Sequence, residues 1–125
     1  MLLWWRQGKL TQLNKKQTHA LRQHTRSGAP MFISAITLWE LAKLVERGRV
    51  TIKGPLEPWL EEIQSHPQIS VLPITAQVAA ESVAFGPNFS ADPADQIIAA
   101  TARCHGLALL TADEKIRGFT GLTII

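Results

Sequence analysis

The chain has 125 residues, 46% of them hydrophobic and 18% charged, with a single cysteine and a formal net charge of +3. That length suits one domain over 1–125 with one core, burying about two thirds of the unfolded surface, and the composition excludes collagen-like, low-complexity and disulfide-stapled classes. No apolar run reaches the roughly 18 residues of a membrane span, and the opening MLLWW precedes Arg6 and Lys9 in the reverse order of a signal peptide, so a cytoplasmic protein without membrane attachment is expected.

Along the chain, Thr11 can cap a helix that runs to about Ser27 and stops at Gly28, with a thin apolar stripe at Leu10, Leu13, Ala20 and Leu21. MFIS (31–34) reads as a short buried strand, and Ser34 caps a second helix that stops at Gly48. Pro55 opens a third helix, PLEPWLEEIQSH, ended by Pro67. ISVLPI (69–74) is a second strand and TAQVAAESVAF a helix after it. Asp92 and Pro93 open the helix ADQIIAATARCH, which stops at Gly106. LALLT (107–111) is a third strand, and GLTII closes the chain as a fourth. Strands that are unbroken apolar runs alternate with helices, the pattern of a parallel sheet covered on both faces. The expected fold is a three-layer α/β/α sandwich, whose functional crevice lies beyond the carboxyl ends of the strands.

Charge is divided unevenly. Residues 1–53 carry ten Lys or Arg against two acids, and residues 54–125 carry three against eight. A basic half of that kind suits a polyanion such as RNA or DNA. The plainer alternative is that Lys15, Lys16, Arg22 and Arg26 solvate one helix face.

Three acids fall just after strands or at a helix start. Glu40 sits early in the helix after MFIS, on a polar stripe with Thr37, Lys43 and Arg47; a solvated pair with Lys43 is the alternative role. Asp95 projects on the side of Ala99 and Ala102, small residues that let its helix lie close to the sheet, and it sits where the helix dipole favours a negative charge. Asp92 reads as an N-cap, with a direct part in chemistry as the alternative. Asp113 follows LALLT at the carboxyl end of that strand, where a turn or cap role is also open. Clustered carboxylates need a cation, and hard oxygen donors without His or Cys suit Mg²⁺ or Mn²⁺. Beside a basic surface, such a site is what cutting a phosphodiester requires.

The remaining reactive residues point elsewhere. Cys104 lies in a helical pattern and reads as packing. His19, His24, His66 and His105 are scattered, which disfavours histidine acid–base catalysis. Trp39 and Trp59 read as core or interface anchors, with base-stacking platforms as the alternative role. A phosphoacceptor receiver domain needs an acidic pair early in the chain, and no acid precedes Glu40.

ISAITLWELAKLVERGRV, DPADQIIAATARCHGLALLTADEKI and the opening LLWW, in that order, resemble a PIN domain of the VapC-like kind, the toxin ribonucleases of bacterial toxin–antitoxin pairs. The resemblance covers essentially the whole chain. It implies an Mg²⁺- or Mn²⁺-dependent endoribonuclease with an RNA substrate, a VapB-like antitoxin as partner, and a homodimer. Carried over by motif position, it makes Glu40, Asp95 and Asp113 the catalytic and metal-binding acids, with Asp92 as an additional acid. Ser34 and Thr111 match polar positions that orient the carboxylates.

The departure is at the N-terminus. Relatives place a strand ending in an aspartate, the first metal ligand, directly before a Leu-Leu-Trp-Trp helix. Here LLWW is expected to be that helix, with the strand and its aspartate missing and the domain incomplete in front. An absent interior strand leaves ladder groups unpaired at about 1–3 kcal/mol each, so the expectation is a start further upstream. The alternative function is a catalytically inactive PIN-fold module that binds RNA or an antitoxin.

Overall fold

Four short apolar segments line up side by side in the computed structural model, which describes residues 2–4, 15–87 and 89–110. They are β1 (Leu2–Trp4), β2 (Met31–Ser34), β3 (Ile69–Leu72) and β4 (Ala108–Leu110). All pair in parallel in the order β3-β2-β1-β4, with Leu3 between Phe32 and Leu109, and Phe32 opposite Ser70. The parallel α/β sandwich expected from the alternating pattern is the fold observed.

One element differs in kind. Leu2–Trp4, expected as the end of a helix with a strand missing before it, is itself a strand, and it holds the interior place between β2 and β4. The reason is ladder satisfaction: both neighbours present unpaired backbone groups there, and a three-residue apolar run supplies partners to both sides. A run so short has no periodicity to distinguish helix from strand.

The helices follow their caps. α1 (Lys15–Arg26) ends ahead of Gly28, and the expected start at Thr11 lies outside the described residues. Lys15, Lys16, Arg22 and Arg26 are exposed along it. α2 (Ala35–Glu46) starts at Ser34, and α3 (Leu56–Gln64) starts after Pro55. α4 (Ala76–Ser82) starts at Thr75, whose hydroxyl accepts from the Val78 N–H, and it is shorter than the expected run to Phe85. β3 ends at Leu72, two residues before the expected Ile74, because Pro73 has no N–H to donate to a ladder. The closing GLTII lies outside the described residues.

α5 (Pro93–His105) carries the core. It packs on α4, β2 and β4, and its Ile98, Ala99, Ala100 and Ala102 are buried with Val78, Phe85, Phe89, Leu107 and Leu109. Gly106 ends it in the left-handed region at φ 61°, and the Leu107 N–H returns to the Ala102 carbonyl at 2.9 Å. This reversal turns the chain from α5 into β4 within two residues. Arg103 bonds Glu81 at 2.8 Å and lies 4.3 Å from the Phe85 ring centroid, joining α5 to α4. Cys104 packs at the edge of the core, as expected, and burial together with the Glu81 carboxylate pushes its thiol up, against a smaller opposing effect of Arg103.

Two outcomes follow. Ala99 has no exposed surface, so Ala99→Leu overfills the contact and lowers unfolding free energy by about 1–3 kcal/mol in urea denaturation. Cys104 stays a neutral thiol at neutral pH, so alkylation by iodoacetamide is slower than for a free thiol there and accelerates above the ordinary thiol range.

Candidate active site

β1 has β2 on one side and β4 on the other, so the chain changes direction across β1. In parallel sheets the crevice outside the carboxyl ends of the strands opens at such a point. Two elements bring acids to it.

The first is α2, which follows β2 without a loop. Ser34 is completely buried, and its hydroxyl accepts the Ile36 N–H at 3.3 Å. Its oxygen therefore fixes the start of α2 and, through the helix, the position of Glu40. Glu40 is half-buried, with its Oε1 shielded from solvent. Lys43 turns to Glu46 at 3.2 Å, so the solvated pair weighed for Glu40 and Lys43 is not the arrangement adopted. Thr37, one turn before Glu40, is buried instead of lying on a solvated stripe, and its Oγ1 has no hydrogen-bond partner among the described residues.

The second is the start of α5. Asp92 is the N-cap read from the sequence: its Oδ1 accepts the Ala94 N–H at 2.9 Å, with Pro93 in the first turn. Asp95, three residues on, is only 2% exposed. An isolated buried carboxylate costs several kcal/mol. Here Ser90 Oγ donates to Asp95 Oδ2 at 2.9 Å, and the helix N-terminus favours the negative charge. Ser90 is held in turn, its Oγ accepting the Asp92 N–H at 3.2 Å and its carbonyl accepting Gln96 Nε2 at 2.9 Å. Ser90 is not among the residues the sequence pattern singles out. The only signal was its place in the run SADPAD, two residues before a cap.

α2 packs against α5. Glu40 and Asp92 thereby line one open groove of about 470 Å³, together with Trp39, Lys43, Arg47 and Arg49. Asp95 lies one turn along α5 from Asp92, on the buried side. Trp39, expected as a core or interface anchor, is no core residue: it is 53% exposed at the groove. Trp59 is half-buried on α3. Asp113 and Thr111 lie outside the described residues. Among the described residues, no three His, Cys, Asp or Glu side chains form a metal-holding group. His24 and His66 border a separate pocket with Met31 and Ile69, where β2 and β3 begin, away from these acids.

A parallel α/β sandwich with acids gathered at the carboxyl end of its sheet defines the class, and residues 10–122 match the PIN domain: the chain belongs to the PIN-domain family. In sequence it is similar to ribonuclease VapC22 of Mycobacterium tuberculosis, with 40% identity over 85 residues, which is 68% of this chain and 64% of that protein. The match thus spans just under two thirds of the relative's length. A toxin–antitoxin complex from Klebsiella pneumoniae has a TM-score of 0.60 at 23% identity, covering 90% of this chain and 84% of that one. The structure of FitAB bound to an IR36 DNA fragment has a TM-score of 0.59 at 22% identity, covering 100% and 94%. Both share the fold. Among the described residues, no helix is long and apolar enough to cross a membrane.

The cap and any chemistry at Asp92 separate by substitution. Asp92→Ala costs about 1 kcal/mol of stability and Asp92→Asn only a few tenths, because asparagine caps about as well; thermal denaturation followed by circular dichroism checks this.

Proposed function

We propose that the chain is a divalent-metal-dependent endoribonuclease, the toxin of a VapBC-type toxin–antitoxin pair, acting in the cytoplasm as a homodimer and held inactive by a VapB-like antitoxin. The observation that carries this reading is the packing of α2 on α5, which sets Glu40 and Asp92 in one groove with Asp95 a turn away. The ribonuclease relative supports the activity, and the toxin–antitoxin neighbour supports the partner.

The donors fit Mg²⁺ or Mn²⁺ in kind. Glu40 and Asp95 offer hard carboxylate oxygens, and the buried Thr37 hydroxyl, one turn before Glu40 on α2, leaves hydrogen-bonding capacity unfilled. In this reading Glu40, Asp95 and Asp113 hold the ion, with Asp92 as an additional acid. Bound there, the ion would supply polarisation of water and offset charge on the phosphate. Ser34 positions Glu40 through the start of α2, Ser90 orients the Asp95 carboxylate, and Thr111 is assigned the same orienting work.

One observation favours a second reading, a PIN-fold module that binds RNA or an antitoxin without cutting. β1 occupies the interior place in the sheet, yet the segment LLWWRQGK contains no acid, and the first carboxylate in the sequence is Glu40.

One assay separates the two. With millimolar Mg²⁺ or Mn²⁺ the purified full chain cuts RNA, EDTA abolishes cutting, and Glu40→Gln or Asp95→Asn lowers the rate roughly a hundredfold or more, beyond the 10- to 100-fold loss usual for an outer supporting residue. Cutting that survives EDTA and both substitutions refutes the assigned roles. RNA binding without cutting selects the second reading.

A further inference from the structure

The groove that holds Glu40 and Asp92 also carries Trp39, Lys43, Arg47 and Arg49, side chains with no part in the acid chemistry. We infer that Trp39, Arg47 and Arg49 hold single-stranded RNA beside the acids, with a base stacked on Trp39 and phosphates on Arg47 and Arg49. This rests on the nuclease reading for its substrate, and it names the surface that grips that substrate.

Glu40, Lys43 and Arg47 recur at helical spacing along one side of α2, over about 10 Å of axis. The helix then closes in a left-handed turn at Gly48, with φ 74°. The Gly48 N–H bonds the Val45 carbonyl at 3.1 Å and the Arg49 N–H bonds the Leu44 carbonyl at 2.9 Å. This double closure folds the backbone back over the last turn of α2. It brings Arg49 to the same groove as Arg47 and fixes both backbones. Glu40 stands midway along α2 and Asp92 at the start of α5, and the two arginines at the far end of α2.

Trp39 supplies the second element. It is 53% exposed even with the Lys43 ammonium 5.7 Å from its ring centroid. So much exposed indole is costly in water and has a ready use as a stacking platform. Lys43 is committed to Trp39 and to Glu46. Arg47 and Arg49 are exposed and form no ion pair with an acid among the described residues, which leaves the guanidiniums for phosphate. Among the described residues the other large exposed apolar side chains, Ile74 and Val83, do not line this groove, so Trp39 is the one large exposed apolar residue there, among cations. That composition suits nucleic acid better than a docked apolar helix. A base can reach an indole face only when unstacked, which selects single-stranded RNA over duplex.

The test measures binding without cleavage. Fluorescein-labelled single-stranded RNA of mixed sequence is titrated with the full chain in EDTA at several salt concentrations, with a duplex of equal length as comparison. Trp39→Ala weakens single-strand binding roughly tenfold, while Trp39→Phe keeps most of it. Arg47→Ala with Arg49→Ala lowers the slope of log affinity against log salt by about 1.4, and the paired Lys substitutions restore it. Circular dichroism confirms that each variant is folded. Folded alanine variants with wild-type affinity and slope overturn the inference. So does equal binding of duplex with no effect of Trp39→Ala, or normal RNA binding combined with lost binding of a protein partner. Because EDTA removes cleavage from the measurement, a failed nuclease assay leaves this result standing, and a failed binding test leaves the nuclease reading standing.

Discussion

Everything at the groove depends on how closely α5 meets the sheet. The helix presents alanines at positions 99, 100 and 102, all essentially without exposed surface, to a core that includes Leu107 and Leu109. Small side chains at a helix–sheet contact allow a short separation, and the tight contact carries the first turn of α5 inward with it. Asp95 is thereby buried, which would be prohibitive for a lone carboxylate. The Ser90 hydroxyl and the helix N-terminus offset that cost. The same placement brings Asp92 to the groove against α2.

Helix α2 separates two kinds of work along its length. Its first half, anchored by the buried Ser34 cap, presents Glu40. Its far end and the turn at Gly48 present Arg47 and Arg49. A site that handles a polyanion has to keep its acids from repelling the substrate while still reaching it, and placing arginines about two turns from Glu40, at the end of the same helix, meets that need. The PIN-domain family to which the chain belongs supplies the scaffold. The groove chemistry belongs to this sequence.

Much of this was legible before any coordinates. Gly28, Gly48 and Gly106, Pro55 and Pro93, and the caps at Ser34 and Asp92 mark helix ends through local backbone chemistry, and local chemistry survives folding. The buried side of α5 was readable from its alanines. Leu2–Trp4 was misread because three apolar residues carry no period, and only the unpaired edges of β2 and β4 make them a strand. Of the roles open to Trp39 only the core one is ruled out, because the side of α2 it occupies opens onto the groove instead of a neighbouring element. Ser90 was missed because its value lies in a bond to a carboxylate five residues away, across a turn.

The sequence by itself determined the alternation of helix and strand from α1 to β4, the place of Glu40 soon after β2, and that the N-terminal half is strongly basic, since propensity, capping and charge are properties of residues and near neighbours. Tertiary structure decided the order β3-β2-β1-β4, the burial of Asp95 and Thr37, and the meeting of α2 with α5 that sets Glu40, Asp92 and the arginines around one groove. Those are contacts between residues far apart in the chain, chosen by which faces could close together and which backbone groups still needed partners.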